Sequence, residues 1–187
     1  MLGLVENIVH SKFPGVSEIV HNPRNAVGGR PRVSSSLRRF LRDVTHSNSP
    51  TDDILTVAID GNCQGFTDIR AAILKVVGRA QYQGFVVCAV PDPHIEKWYL
   101  SDPGNLASTL GSNKVPNLLP YKCDRSLYKS ELNQTLASIG VRAPLGGTEY
   151  GREIAQGIDL FQAGQNDSSL KHFIDDFCGI ATNFLNP

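Results

Sequence analysis

Two short apolar runs constrain this chain more than any other feature. ILTVAID (residues 54–60) and FVVCAV (85–90) are continuously apolar rather than alternating, which is the pattern of strands buried on both faces of a parallel sheet. Between them, DIRAAILKVVGRAQ puts Ile69, Ala72, Ile73, Val76 and Val77 on one helical face. Thr67 or Asp68 is available as its cap, and Gly84 ends the turn that follows. Strand, helix and strand in this compass predict a right-handed βαβ unit, with a helix over 67–81 crossing between neighbouring parallel strands. The expected fold class is α/β: a small parallel sheet flanked by helices.

Most of the remaining chain carries helical spacing. Leu2, Val5, Ile8, Val9 and Phe13 form a stripe closed by Pro14-Gly15. Val16–Val20 has the length of a short strand. NPRNAVGGRPRV (22–33) reads as a basic loop, because Pro23, Gly28, Gly29 and Pro31 oppose regular structure, and Ser34–Ser36 can cap the basic helix SLRRFLRDV. SNSPTDD (47–53) is a polar connector. Pro91 and Pro93 stop the second strand, and Pro93 can start a helix. Further helices are expected around 103–110, 125–139, 148–158 and 168–185. No repeat or linker divides the 187 residues, so one domain is expected over 1–187, with 103–187 as its helical extension.

Charge and cysteine usage narrow the function classes. Lys plus Arg is 18 and Asp plus Glu is 18, so nucleic-acid contact would need a local basic patch or a basic partner. Cys63, Cys88, Cys123 and Cys178 are widely spaced with no CxxC pair. That argues against a disulfide scaffold or structural zinc and for free thiols in a reducing compartment. No apolar run reaches membrane-spanning length, and MLGLVENIVHSKF has no basic leader. The expected location is cytoplasmic, with no membrane partner.

Several segments carry candidate chemistry. Asp60 ends the first strand and Asn62 follows on a tight loop; in open α/β sheets ligands bind beyond the carboxyl ends of strands, and two oxygen groups there suit a hard divalent cation. A plain strand-ending turn uses the same residues. At the end of the second strand stand Asp92, His94 and Glu96, where an acid also simply suits a helix start. Two adjacent strands ending in acids is what a shared metal site needs. Asp92 has the alternative of capping the helix; His94 is a candidate contact for phosphate or nucleic acid, with the alternative of hydrogen-bonding the loop. In YKCDRSLYKSEL (121–132), Lys122, Arg125 and Lys129 offer a basic face for phosphate or nucleic acid, against the alternative of a solvated helix face; Tyr121 and Tyr128 suit either base stacking or packing. LGGTEYGREI (145–154) has the look of an anion-binding turn, but lacks the Lys and Ser of a P-loop. The alternative is a tight helix entry capped by Thr148.

Taken together, IDGNCQGF, VPDPHIEKWYL, KCDRSLYK, LGGTEYGREI and the Asp167-Ser168-Ser169 start of the last helix resemble a Toprim-like bacterial family of unknown function, distantly similar to RloB and to the nuclease domain of OLD-type proteins. The resemblance covers about residues 25–180 and implies a Toprim-like (Rossmann-like) sheet. It implies Mg2+ or Mn2+ for phosphodiester chemistry, with Asp60 and Glu96 as metal ligands and catalytic acids. Asn62 stands where such sites have a second Asp, and would assist. Such folds open with a strand ending in a Glu. This chain opens instead on the 2–13 helix, so that strand is expected upstream of it, and Glu6, inside the helix, does not take the role. The function implied is that of a metal-dependent nuclease or nuclease-derived hydrolase subunit, in a bacterial defence system with a separate ATPase. The rival reading is a non-catalytic binding or regulatory module that docks a partner protein, and a generic phosphotransfer domain comes third.

Overall fold

The computed structural model describes residues 1–26, 29–46, 53–113, 115–124 and 126–186. Val27, Gly28, most of the 47–53 connector and Arg125 lie outside the described residues, as does the side chain of Arg30. The described chain is mixed α/β and mostly helical, with nine α-helices and one two-stranded parallel sheet.

β1 (Ile54–Ala58) and β2 (Phe85–Ala89) pair in parallel, Ile54 beside Phe85 through to Ala58 beside Ala89. α3 (Phe66–Arg79) makes the crossover between them, as expected from the spacing. Successive side chains on a strand point to opposite faces, and β2 shows it. Val87 and Ala89 enter one core, Cys88 and Val90 another. The smaller core lies beneath α2 (Arg30–His46) and α3, where Leu37, Leu41, Val57, Ile69, Ile73 and Val77 are buried. The larger joins α1 (Leu2–Lys12), α4 (Ile95–Tyr99), α5 (Pro103–Thr109), α6 (Leu127–Ser138), α7 (Gly151–Gly157), α8 (Leu160–Asn166) and α9 (Ser168–Leu185) around Trp98, Phe173 and Leu170. Trp98 stacks on Phe173 with ring centroids 5.4 Å apart. Layers of helix on both faces are why the strands read as unbroken apolar runs.

Local corrections have identifiable causes. Val16–Val20 is not a strand, and Val20 is exposed. α2 begins at Arg30, inside the segment read as loop; Pro31 sits in its first turn, where a missing N–H costs nothing. Ser34–Ser36 therefore fall within the helix, and Ser35 Oγ donates back to Pro31 O. α3 is preceded by Gly65 at φ 76°, with no side-chain cap from Thr67 or Asp68. α8, a helix of seven residues capped by Asp159 onto Phe161 N and Gln162 N, lies between α7 and α9 and is too short for a helical period to mark it in the sequence. Instead of one helix over 148–158 there is a 3-10 turn over Thr148–Tyr150 followed by α7. Its entry turn is already filled by an internal anion. The Glu149 carboxylate accepts from Leu145 N at 3.1 Å and Gly147 N at 2.9 Å. Gly147, at φ 94°, takes a left-handed conformation that other residues adopt with strain.

The largest correction concerns the thiols. Cys63 and Cys123 form a disulfide with Cα atoms 5.5 Å apart, while Cys88 and Cys178 are free. Sixty residues separate the bonded pair, so spacing alone carried no sign of it. Burial pushes the Cys88 thiol up to about 11, which makes it inert.

Candidate functional site at the strand ends

The carboxyl ends of β1 and β2 are laced together by their loops. Gly61 N–H donates to Pro91 O at 2.7 Å and Asn62 N–H to Pro93 O at 2.9 Å. Gly61 sits at the contact, where a Cβ would lie 3.1 Å from both Pro91 O and Asp92 Oδ1. Asn62 (φ 47°) and Cys63 (φ 64°) follow in the left-handed region, which costs a non-glycine residue about 1–3 kcal/mol unless its surroundings hold it. Here Asn62 Nδ2 donates to Asp60 O at 3.2 Å, and Cys63 is tied to Cys123.

This lacing sets Asp60 against the start of α4. His94 is the N-cap residue of that helix but its own side chain makes no capping bond. Asp60 supplies the acceptor from the neighbouring loop, with Oδ1 taking Ile95 N–H at 3.1 Å. Oδ2 faces Nδ1 of His94 at 3.5 Å. The Asp60 side chain is 40% exposed and that of His94 is 10% exposed, so the pair opens to solvent on the Asp60 side. Burial raises the Asp60 carboxyl above the ordinary aspartate range; nearby Glu96 adds to the rise, and His94 opposes it. A folded-state carboxyl with a raised value favours folding below the ordinary aspartate value of about 4, and that contribution is lost as pH rises through the folded value. The folded chain therefore disfavours the charged form of Asp60.

Glu96 lies in the first turn of α4 and is half-buried. Its charge opposes ionisation of Asp60, and both acids, after burial, help push the Tyr99 phenol up to about 12. Among the described residues no Lys or Arg is paired with either acid.

Behind α4 a buried polar network fixes its orientation. Lys97 Nζ pairs with Asp167 Oδ2, the side chains being 10% and 1% exposed. Asp167 Oδ1 accepts from Ser169 Oγ at 2.6 Å and caps α9 through Leu170 N at 2.9 Å. Ser169 Oγ in turn accepts from Trp98 Nε1 at 2.8 Å and from Asp92 N at 3.2 Å. Lys97 and Trp98 thereby anchor the five-residue helix that carries Glu96 to the start of α9. Sequence reasoning gave Lys97, Asp167 and Ser169 no role, although an Asp-Ser-Ser helix start is an N-cap signal.

The remaining candidates divide. Asp92 does not cap α4; its Oδ1 accepts from Tyr121 O–H at 3.3 Å. Tyr128 is fully buried, with its hydroxyl bonded to Lys122 N and Pro120 O, which excludes base stacking; Tyr121 is 56% exposed. Lys129 lies across the Gly146 turn. Hydrogen bonds from Ser126 lower the Asp124 carboxyl, with Lys122 a lesser help, and backbone amides lower that of Glu149 against its burial, with Lys129 a lesser help, so the two cations serve different neighbours.

Among the described residues no three His, Cys, Asp or Glu side chains gather as an all-protein metal cage. The donor set at the strand ends is two carboxylates. It fits magnesium, which keeps several waters and takes one or two carboxylates plus substrate phosphates. Asn62 meanwhile directs its amide nitrogen at the Asp60 carbonyl. No helix of the described residues is long and apolar enough to cross a membrane. Comparison with family models, with curated proteins and with solved structures finds no match.

Proposed function

We propose that this chain is a Toprim-like module for metal-dependent phosphodiester chemistry on nucleic acid, a nuclease or nuclease-derived subunit, with Asp60 and Glu96 as its working acids. The observation that carries the reading is the pair itself. Two carboxylates stand where adjacent parallel strands end, burial and then Glu96 raise the cost of the Asp60 charge, and neither acid has a Lys or Arg partner among the described residues. A divalent cation removes that cost, and when bound supplies an activated water and charge for the leaving oxygen. The chain's own part is positional. The Ile95 amide holds Oδ1 of Asp60, His94 stands at Oδ2 to hold or pass a proton, and the Lys97–Asp167 pair anchors the helix that carries Glu96. An ATPase partner remains part of the proposal through the family likeness.

Nicking of supercoiled plasmid DNA and of a structured RNA in magnesium tests it. Asp60→Asn and Glu96→Gln are each expected to reduce cleavage to the metal-free background. Asp60→Asn keeps an oxygen for the Ile95 amide and removes a disfavoured charge, so its melting temperature at pH 7 should be unchanged or higher. The second reading, a docking module, is favoured by the capping bond from Ile95 to Asp60, a purely structural use of that acid. A large stability loss in Asp60→Asn, with no cleavage by the parent, would support it instead.

A further inference from the structure

We propose that the solvent face of α2 is a phosphate-binding surface for nucleic acid, carried by Arg32, Arg38, Arg39 and Arg42. It rests on the reading of the strand-end site only for the choice of nucleic acid among polyanions. The charge is segregated. Residues 24–42 hold six arginines and neither Asp nor Glu, in a chain whose charges balance overall at 18 and 18. The helix then sorts them. At about 100° per residue, Arg38, Arg42, Arg39 and Arg32 fall within about 120° of arc, opposite Val33, Leu37, Phe40, Leu41 and Val44. Burial agrees: Leu37 and Leu41 are 8% and 0% exposed, while all four arginines are exposed. Among the described residues none of the four is in an ion pair. Arg24 adds a cation on the flank, its guanidinium 4.9 Å over the Phe40 ring.

Geometry selects the partner. From Arg32 to Arg42 the helix rises about 15 Å, which spans about four phosphates of one strand at 3.4 Å each. Guanidinium forks take phosphate oxygens two at a time, where lysines act as point charges. An anionic membrane fits less well. Helices that lie in the lipid interface insert their apolar side, and here that side is already packed against α3 and the strands.

Fluorescence anisotropy with a labelled 20-base-pair DNA duplex and a labelled 20-nucleotide strand, in EDTA, tests this without the metal site. Four phosphate contacts give a salt slope of about −3.6, so affinity should fall about 100-fold between 50 and 200 mM salt. The Arg38→Gln/Arg42→Gln variant should bind more weakly at 50 mM and lose only about 10-fold over the same range. Unchanged affinity and slope in the arginine variant, no parental binding at 50 mM, or tighter binding to phosphatidylserine vesicles than to either nucleic acid would overturn the proposal. The two readings separate cleanly. Loss of cleavage in Asp60→Asn alongside undiminished binding by the arginine variant defeats this surface only. Arginine-dependent binding by a protein that never cleaves defeats the strand-end chemistry only.

Discussion

Reducing the Cys63–Cys123 disulfide is expected to lower the melting temperature by about 10 °C. The bond closes a separation of 60 residues, and a cross-link of that span stabilises by about 4 kcal/mol when its effect is counted as lost freedom of the unfolded chain. In a domain of this size 1 kcal/mol corresponds to about 2–4 °C. The bond ties the Asp60 loop to a segment, 115–124, that has no helix or strand of its own. Without it that segment keeps Tyr121 on Asp92, and Pro120 O on the Tyr128 hydroxyl of α6. Cys63 also loses one of the restraints on its left-handed backbone. Both half-cystines are exposed, so a small dithiol reaches the bond without unfolding. Thermal melts with and without dithiothreitol measure the effect, and Cys63→Ser/Cys123→Ser should match the reduced parent. Equal melting temperatures in all samples would mean that the bond adds nothing in solution.

Asp167→Ala should be the most damaging single substitution near the site, at about 4 kcal/mol. Removing one partner of a buried ion pair typically costs about 3–5 kcal/mol, because the survivor keeps its charge without compensation. Here the survivor is Lys97, buried behind Trp98. The same carboxylate also caps α9 and holds the Ser169 hydroxyl that Trp98 and Asp92 use. Lys97→Met strands Asp167 instead and should cost nearly as much. Combining Lys97→Met with Asp167→Asn restores charge balance and keeps an acceptor for Leu170 N, so the pair should be more stable than Lys97→Met alone. Urea unfolding of the parent and these variants decides it. Strict additivity would show that the two side chains do not act as a pair.

What the chain disclosed in advance follows from which forces are local. The βαβ unit was legible because burial on both strand faces and on one helix face writes itself into consecutive residues, ILTVAID, then Ile69, Ile73 and Val77, then FVVCAV. That Asp60 meets the start of α4 follows from the same unit, because strand ends of a parallel pair adjoin. The start of α2 was misread because Pro31 and the glycines before it are breakers in a helix interior but acceptable at its first turn. The disulfide, the capping of α4 by Asp60, and the Lys97–Asp167 pair join residues 60, 35 and 70 positions apart. Such contacts depend on how helices pack, and no spacing rule states them. The glycine turn at 146–147 resembled an anion site for a physical reason. It is one, and Glu149 is the anion.

The most direct test of the central claim is a Mn2+ titration of the metal-free protein, with free Mn2+ followed by its paramagnetic resonance signal. One saturable ion per chain is expected, lost in Asp60→Asn and lost in Glu96→Gln, with the arginine variant of α2 binding as the parent does. Saturable binding that is equal in the parent and both acid variants, or no saturable binding by the parent, would contradict a shared cation site at the ends of β1 and β2.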